Sequence, residues 1–209
     1  MTGDMVDGAM NYDFRRFATQ YFAENILTAA EFDLRLSSLL MRYKKQMLPG
    51  QLNLLDGHDT PRFLSLCQGD ITKMELAILF QLTFVGMPCV FYGNEKGMMG
   101  IKEAEYRMPM PWETVSPLTD IYQQMIGLRK ANMPLTHGDF ETIKAECMLL
   151  HYARTWKNER IDIAMNPGQT SIKYDISGEC LLKKRASCGL LMPGGYVITR
   201  SVINGDHDL

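Results

Sequence analysis

The fold class of this chain is decided by residues 51–95, which read QLNLLDGHDTPRFLSLCQGDITKMELAILFQLTFVGMPCVFYGNE. Residues 51–56 form a short apolar run with no room for a helix, so they predict a buried strand. Residues 70–85 are apolar on nearly all sides, which predicts a helix with little exposed surface. The run at 88–95 is short, aromatic and β-branched, and it predicts a second strand that ends in a Gly-Asn turn.

Helices on either side of this stretch extend the same alternation. One begins at the Thr28–Glu31 capping box, in which each side chain satisfies a free backbone N–H, and another begins at Ser116 with Pro117, a residue that has no N–H to satisfy. The helix inside the stretch has a possible capping box of its own at Thr72–Glu75. Strands that alternate with helices imply a parallel sheet with helical crossovers. The predicted fold class is therefore α/β.

The pattern changes after Pro134. Residues 147–166 read as two strands around Lys157-Asn158-Glu159, and short strands follow with turn residues between them. We therefore predict a domain boundary near Pro134, with a small antiparallel β domain behind it.

Composition excludes several classes of protein. The chain has 209 residues, 46% of them hydrophobic, and a formal net charge of -2, so it predicts a globular protein with a real core and no nucleic-acid partner. No apolar stretch is long enough to predict a membrane helix, and the acidic N-terminus does not resemble a secretion signal. Five scattered cysteines without a C-x-x-C pair favour reduced thiols in the cytoplasm over disulfides or a zinc site.

His58 and Asp59 stand where the first buried strand is predicted to end. In parallel sheets, reactive groups gather where strand carboxyl ends meet the following loops, and Asn94 with Glu95 take the matching place after the next strand. A carboxylate and an imidazole there would suit sugar hydroxyls, acid–base work or a metal. The residues alone leave open a simple turn-capping role, because Asp-Thr-Pro is good turn chemistry. A metal-dependent hydrolase site is less favoured, since the other histidines lie in the β region.

Four segments resemble glycoside hydrolase family 13, the α-amylase family, and within it the neopullulanase, cyclomaltodextrinase and maltogenic amylase group. They are DGAMNYDF at 7–14, LNLLDGHDTPRFLSL at 52–66, FQLTFVGMPCVFYGNEKGMMG at 80–100 and YRMPMPW at 106–112. The resemblance implies that residues 1–133 are the last part of a catalytic TIM (β/α)8 barrel, with strands 6 to 8 and their helices. It implies that residues 134–209 are a C-terminal antiparallel β-sandwich domain.

The resemblance also implies roles for individual residues. Asp59 would stabilise the transition state and His58 would donate to hydroxyls of the sugar at the cleavage point. Further substrate-binding residues on the same face would be Arg62, Glu95, Tyr106, Arg107 and Trp112. No cofactor or metal is expected, and the substrates would be α-glucan oligosaccharides such as maltooligosaccharides, cyclodextrins or pullulan.

A retaining glycosidase needs a nucleophilic carboxylate and an acid/base carboxylate about 5 Å apart. In the family both precede the segments recognised here, so we expect these 209 residues alone to be inactive. Three strands of a barrel also leave open edges. We therefore expect self-association or pairing with the preceding part of a barrel, and the alternative is a non-enzymatic module that binds glucans or another partner.

Overall fold

The first half of the chain is built on three parallel strands. The computed structural model describes residues 6–203, so residues 1–5 and 204–209, the outer ends of the two predicted domains, lie outside it. Strands β1 (Met10–Asn11), β2 (Leu52–Leu54) and β3 (Met87–Cys89) lie side by side in chain order. Helices connect them, which confirms the predicted α/β class.

The helices before, between and after these strands carry apolar residues on their inward faces. They are α1 (Tyr12–Ala18), α2 (Ala29–Met41), α3 (Phe63–Leu66), α4 (Ile71–Thr83), α5 (Glu103–Tyr106), α6 (Pro117–Ala131) and α7 (Met133–His137). A π-helical turn over Thr19–Ala23 continues α1, and a 3₁₀ helix over Lys45–Gly50 leads into β2.

Two of the three predicted helix caps are confirmed. Thr28 and Glu31 form the capping box of α2, and the Ser116 side chain accepts a hydrogen bond from the backbone N–H of Leu118 at the start of α6. The predicted Thr72–Glu75 box is wrong, because α4 begins two residues earlier than that box requires. Its cap is Asp70, whose Oδ1 accepts from the N–H groups of the second and third helical residues at 2.8 and 3.3 Å.

Helix α4 forms the centre of the hydrophobic core. Every residue from Met74 to Thr83 is buried, as its apolar sequence predicts. Phe80 on this helix packs against Phe14 of α1 and Phe32 of α2, with ring centroids 5.4 and 5.2 Å apart. Aromatic pairs at these distances add to the free energy that area burial supplies.

The second half of the described chain is one antiparallel sheet. Its strands are β4 (Asp139–Glu146), β5 (Leu149–Trp156), β6 (Glu159–Asn166), β7 (Ile172–Lys173), β8 (Glu179–Ser187) and β9 (Leu190–Val202). Within residues 6–203 all six strands hydrogen-bond into one continuous sheet, and the predicted sandwich packing of this domain stays a prediction. Strand β9 joins the sheet together, because its 13 residues pair with β6 and β7 along one edge and with β8 along the other.

Helix α4 joins this sheet to the α/β part. The buried Glu75 carboxylate accepts from Lys184 Nζ at 2.6 Å and from the Tyr196 hydroxyl at 3.0 Å. At the other end of the helix, the buried Arg154 of β5 donates to the carbonyl oxygen of Thr83 at 2.5 Å. A guanidinium at a helix C-terminus meets free carbonyl groups and the negative end of the helix dipole. Both ends of α4 are therefore tied to the sheet.

Within residues 6–203, the helices are all too short or too polar to cross a lipid bilayer.

Candidate functional site

Polar side chains collect at the carboxyl ends of the three parallel strands. Tyr12 directly follows β1; Asp56, His58 and Asp59 follow β2; and Asn94 follows β3. The parallel register of the strands brings these three loops to one edge of the sheet. This is the edge at which ligand sites form in parallel sheets.

Asp59 presents an exposed carboxylate that is held from the neighbouring strand. The hydroxyl group of Tyr12 donates to Asp59 Oδ2 at 3.1 Å and lies 3.3 Å from Oδ1. Partial burial and the hydrogen bond to the carboxylate both raise the pKa of the Tyr12 phenol, so it remains a donor at neutral pH. Sequence reasoning missed Tyr12, although its place at the end of the predicted sixth strand was visible.

Arg15 lies one helical turn after Tyr12, behind the same carboxylate. Its Nη2 donates to the carbonyl oxygen of Pro61 at 2.9 Å, which fixes the loop that follows Asp59. Burial lowers the pKa of its guanidinium, and the nearby charges of Asp56 and Asp59 partly offset this effect. Its buried Nε has no hydrogen-bond partner among the described residues. Arg15 was also missed by the sequence analysis.

His58 is exposed beside Asp59, and Arg107 holds its backbone. Arg107 Nε donates to the carbonyl oxygen of His58 at 2.6 Å, while Nη1 lies 2.7 Å from Glu103 Oε1. The predicted residues Asp59, His58 and Arg107 are thus brought together on one surface.

Arg62 corrects the sequence prediction, because it is fully buried and cannot contact a substrate. Its guanidinium donates to the carbonyl oxygens of Tyr92 at 2.6 Å and Tyr106 at 3.1 Å, and to Asn94 Oδ1 at 3.1 Å. It also lies over the ring of Phe91, 4.4 Å from the centroid. Arg62 is a positioning residue that joins the loop after β2 to the loop after β3.

Tyr106 also corrects the prediction, since only 8% of its surface is exposed and no flat face is offered to a sugar. Trp112 is 75% exposed on the same loop region and remains available. Glu95 is half-buried, and its carbonyl oxygen accepts from Thr119 Oγ1 at 2.8 Å, so its backbone is fixed against α6.

Asp56 is a buried carboxyl group beneath the exposed pair, which the sequence analysis did not select. Its Oδ1 accepts from the backbone N–H of Phe63 at 2.5 Å. Burial raises the pKa of this carboxyl group to about 6, although the Phe63 N–H, the cations Arg15 and Arg62, and the Asn94 amide all favour the charged form. Because Asp56 is buried and bonded to the backbone, Asp59 is the carboxylate that a ligand at this edge would meet.

The arrangement suits a neutral, hydroxyl-rich ligand. An exposed carboxylate accepts hydrogen bonds, an imidazole donates or accepts them, and an indole offers an apolar face. In the part of the chain that the structure describes, no three His, Cys, Asp or Glu side chains are grouped as metal ligands.

Known proteins resemble this chain in sequence and in structure. Residues 1–116 match the family model described as the α-amylase catalytic domain. The chain is 40% identical over 217 aligned residues to a cyclomaltodextrinase from Geobacillus thermopakistaniensis (strain MAS1), and 37% identical over 171 to neopullulanase 2 from Thermoactinomyces vulgaris. A solved cyclomaltodextrinase structure superposes with a TM-score of 0.79 at 30% identity, covering 96% of this chain and 36% of that one.

These alignments cover much of this chain and a minor part of each relative. The first covers 95% of this chain and 37% of the relative, and the second covers 79% and 29%. The chain thus spans about a third of the length of these relatives.

Proposed function

Because the chain belongs to the α-amylase family, we propose that it is part of a glycoside hydrolase that cleaves α-1,4 links in α-glucans. The substrates would be maltooligosaccharides, cyclodextrins or pullulan, in keeping with the names of the cyclomaltodextrinase and neopullulanase relatives. The proposed reaction is hydrolysis by double displacement, with retention at the anomeric carbon.

One observation carries this proposal: the exposed Asp59 carboxylate lies beside His58 and accepts a hydrogen bond from Tyr12, at the carboxyl end of the parallel strands. In this role Asp59 holds hydroxyls of the sugar at the cleavage point and favours the oxocarbenium-like transition state. Interactions that strengthen on the way to that state accelerate the reaction, whereas uniform ones only tighten binding. His58, Trp112, Arg107 and Glu95 would complete the glucan-binding surface.

Bond cleavage itself requires a nucleophile and an acid/base group that this site does not supply. Asp59 is the exposed carboxylate after β2, and Asp56 is buried beneath it with a hydrogen bond to a backbone N–H. In our proposal the cleaving pair comes from the segment that precedes these strands in the family. The 209 residues alone would bind glucans and would not hydrolyse them.

The proposal extends to the domain organisation. Residues 1–133 would be the last part of the catalytic barrel, with β1 to β3 as its strands 6 to 8, and residues 134–209 would be the C-terminal β domain. The support is the order and direction of the three strands and the start of the antiparallel sheet at Asp139. The outer strands β1 and β3 each pair with one neighbour within residues 6–203, so the preceding part of a barrel or a second copy of this chain is the proposed partner.

We also propose that the protein acts in the cytoplasm. Its five cysteines are all unpaired, and three of them are exposed, which suits a reducing compartment.

Titration of maltoheptaose by calorimetry tests the role of Asp59. We expect the Asp59→Asn variant to bind about tenfold more weakly, because charge-assisted hydrogen bonds to the sugar are lost. The matched control is Asp175→Asn, which removes an exposed carboxylate from the β part.

Equal affinity in the wild type and Asp59→Asn would contradict the proposed site. In a protein that also contains the preceding barrel segment, Asp59→Asn should lower kcat by about 100-fold or more, since it removes a transition-state contact.

A further inference from the structure

A second cavity lies at the opposite end of the parallel strands from the candidate site. It has a volume of about 1070 Å³, and its lining includes Lys45 in the helix that leads into β2 and Val85 just before β3. The residues of the candidate site come after the strands in the chain, whereas Lys45 and Val85 of this cavity come before β2 and β3. Its size is close to the upper limit of small-molecule sites, about 1,000 Å³, and exceeds what an ion needs.

An indole ring forms one wall of this cavity. Trp156, at the end of β5, is half-buried, and the exposed His137 ring packs on it with centroids 5.4 Å apart and planes inclined by 40°. Phe140 also lines the cavity and packs edge-on against Phe84, with centroids 5.0 Å apart. The lining thus includes two aromatic side chains and an imidazole.

The wall is held in place by a buried cation. Arg154 donates through Nη2 to the carbonyl oxygen of Gly138 at 2.8 Å and through Nη1 to that of Thr83 at 2.5 Å. Gly138 itself lines the cavity between His137 and the first strand of the sheet. A site built on fixed backbone loses little conformational entropy when a ligand binds.

The rim of the cavity carries charges of both signs. Lys45 pairs with Asp139 at 2.7 Å, and Lys157 and Gln46 add further hydrogen-bonding groups. This balance does not suit a polyanion such as a nucleotide. A neutral ligand with apolar faces and hydroxyl edges fits, because its C–H face stacks on an indole while its hydroxyls meet the lysines, the carboxylate and the amide.

We propose that this cavity is a second binding site for α-glucan chains, separate from the site at the strand carboxyl ends. The choice of an α-glucan rests on the proposed function, since the cavity alone specifies only a neutral sugar-like ligand. A chain bound here would anchor a long substrate to the protein without reaching the candidate catalytic residues.

The two tryptophans of the chain allow each site to be observed separately. Trp112 lies in the segment that follows β3 and α5, and Trp156 lies in this cavity. In the Trp112→Phe variant, which leaves the cavity untouched, we expect titration with maltoheptaose to give a saturable change in the Trp156 emission. Lys45→Met should weaken that affinity about fivefold through loss of a hydrogen bond. The control Lys183→Met, which removes an exposed lysine of β8 that does not line the cavity, should leave the affinity unchanged.

An unchanged Trp156 emission in the folded Trp112→Phe variant would overturn the proposal, as would an equal response to cellohexaose, a β-linked glucan. The Trp156→Phe variant keeps Trp112 and reports on the strand-end site. If the Trp156 emission responds while the Trp112 emission does not, and Asp59→Asn has no effect on binding, the result would contradict the proposed function and support this second site. If only the Trp112 emission responds, the result would support the proposed function and contradict the second site.

Discussion

At the scale of single residues, the buried carboxyl group of Asp56 couples the candidate site to pH. Its pKa is about 6 in the folded chain, against about 3.9 for an unfolded aspartate. Between these values the folded state holds a proton that the unfolded state releases. The contribution of Asp56 to stability is therefore fully present below about pH 4 and is lost as the pH rises through 6.

The Asp56→Asn variant tests this coupling, because its amide oxygen can still accept from the Phe63 N–H. We expect the variant to be at least as stable as the wild type at pH 7, with a relative gain of up to about 3 kcal/mol between pH 4 and pH 7. Urea unfolding at a series of pH values measures this. If the free energies of unfolding of the two proteins changed in parallel with pH, burial of the charged Asp56 carboxylate would carry no free-energy cost, and the expectation would be contradicted.

Residue-scale roles were also the hardest to predict from sequence. His58 and Asp59 were found because a strand pattern stops at them. The burial of Arg62 was invisible, because its partners include backbone carbonyl groups 30 and 44 residues away, which side-chain patterns do not reveal. Tyr12 was overlooked because its partner Asp59 lies 47 residues further on.

At the scale of elements, local signals decided what could be predicted. The Thr28 and Ser116 caps involve neighbouring residues only, so the sequence suffices. The start of α4 was predicted at Thr72, whereas the helix is capped two residues earlier by Asp70, and the long-range contacts of Glu75 explain the difference. Glu75 is needed in the interior for Lys184 and Tyr196, which lie 109 and 121 residues away. It is therefore not free to close a capping box.

The cap of α4 gives a test with an internal control. Asp70→Ala should lower the free energy of unfolding by about 1 kcal/mol, because two N–H groups at the helix start lose their acceptor. Thr72→Ala should change it by less than about 0.5 kcal/mol, since a hydroxyl inside the first turn has no such role. Chemical denaturation of both variants measures these free energies of unfolding. A larger decrease for Thr72→Ala than for Asp70→Ala would place the helix cap at Thr72, as the sequence predicted.

At the scale of the whole molecule, the parallel sheet offers a surface for association. Met10, Leu52 and Met87 are paired across the three strands, and the two methionines are 43% and 51% exposed. We expect the chain to self-associate with rising concentration, because this apolar row and the strand edges beside it lack cover within the described residues.

Sedimentation velocity over a concentration series measures this association. Met87→Lys should shift the chain towards the monomer, whereas Met41→Lys, on the 85% exposed tip of α2, should not. A wild-type chain that stays monomeric throughout would contradict the expectation.

The double attachment of α4 also determines how this chain opens. Its ends are fixed to the antiparallel sheet through Glu75 and Arg154, and its middle carries the aromatic core of the parallel half. If either half unfolded alone, the buried charge of Glu75 or of Arg154 would lose its partner in the other half. In hydrogen-exchange experiments, the amide protons of α4 and of β5 should therefore lose protection together, at one common opening free energy, as a single cooperative unit.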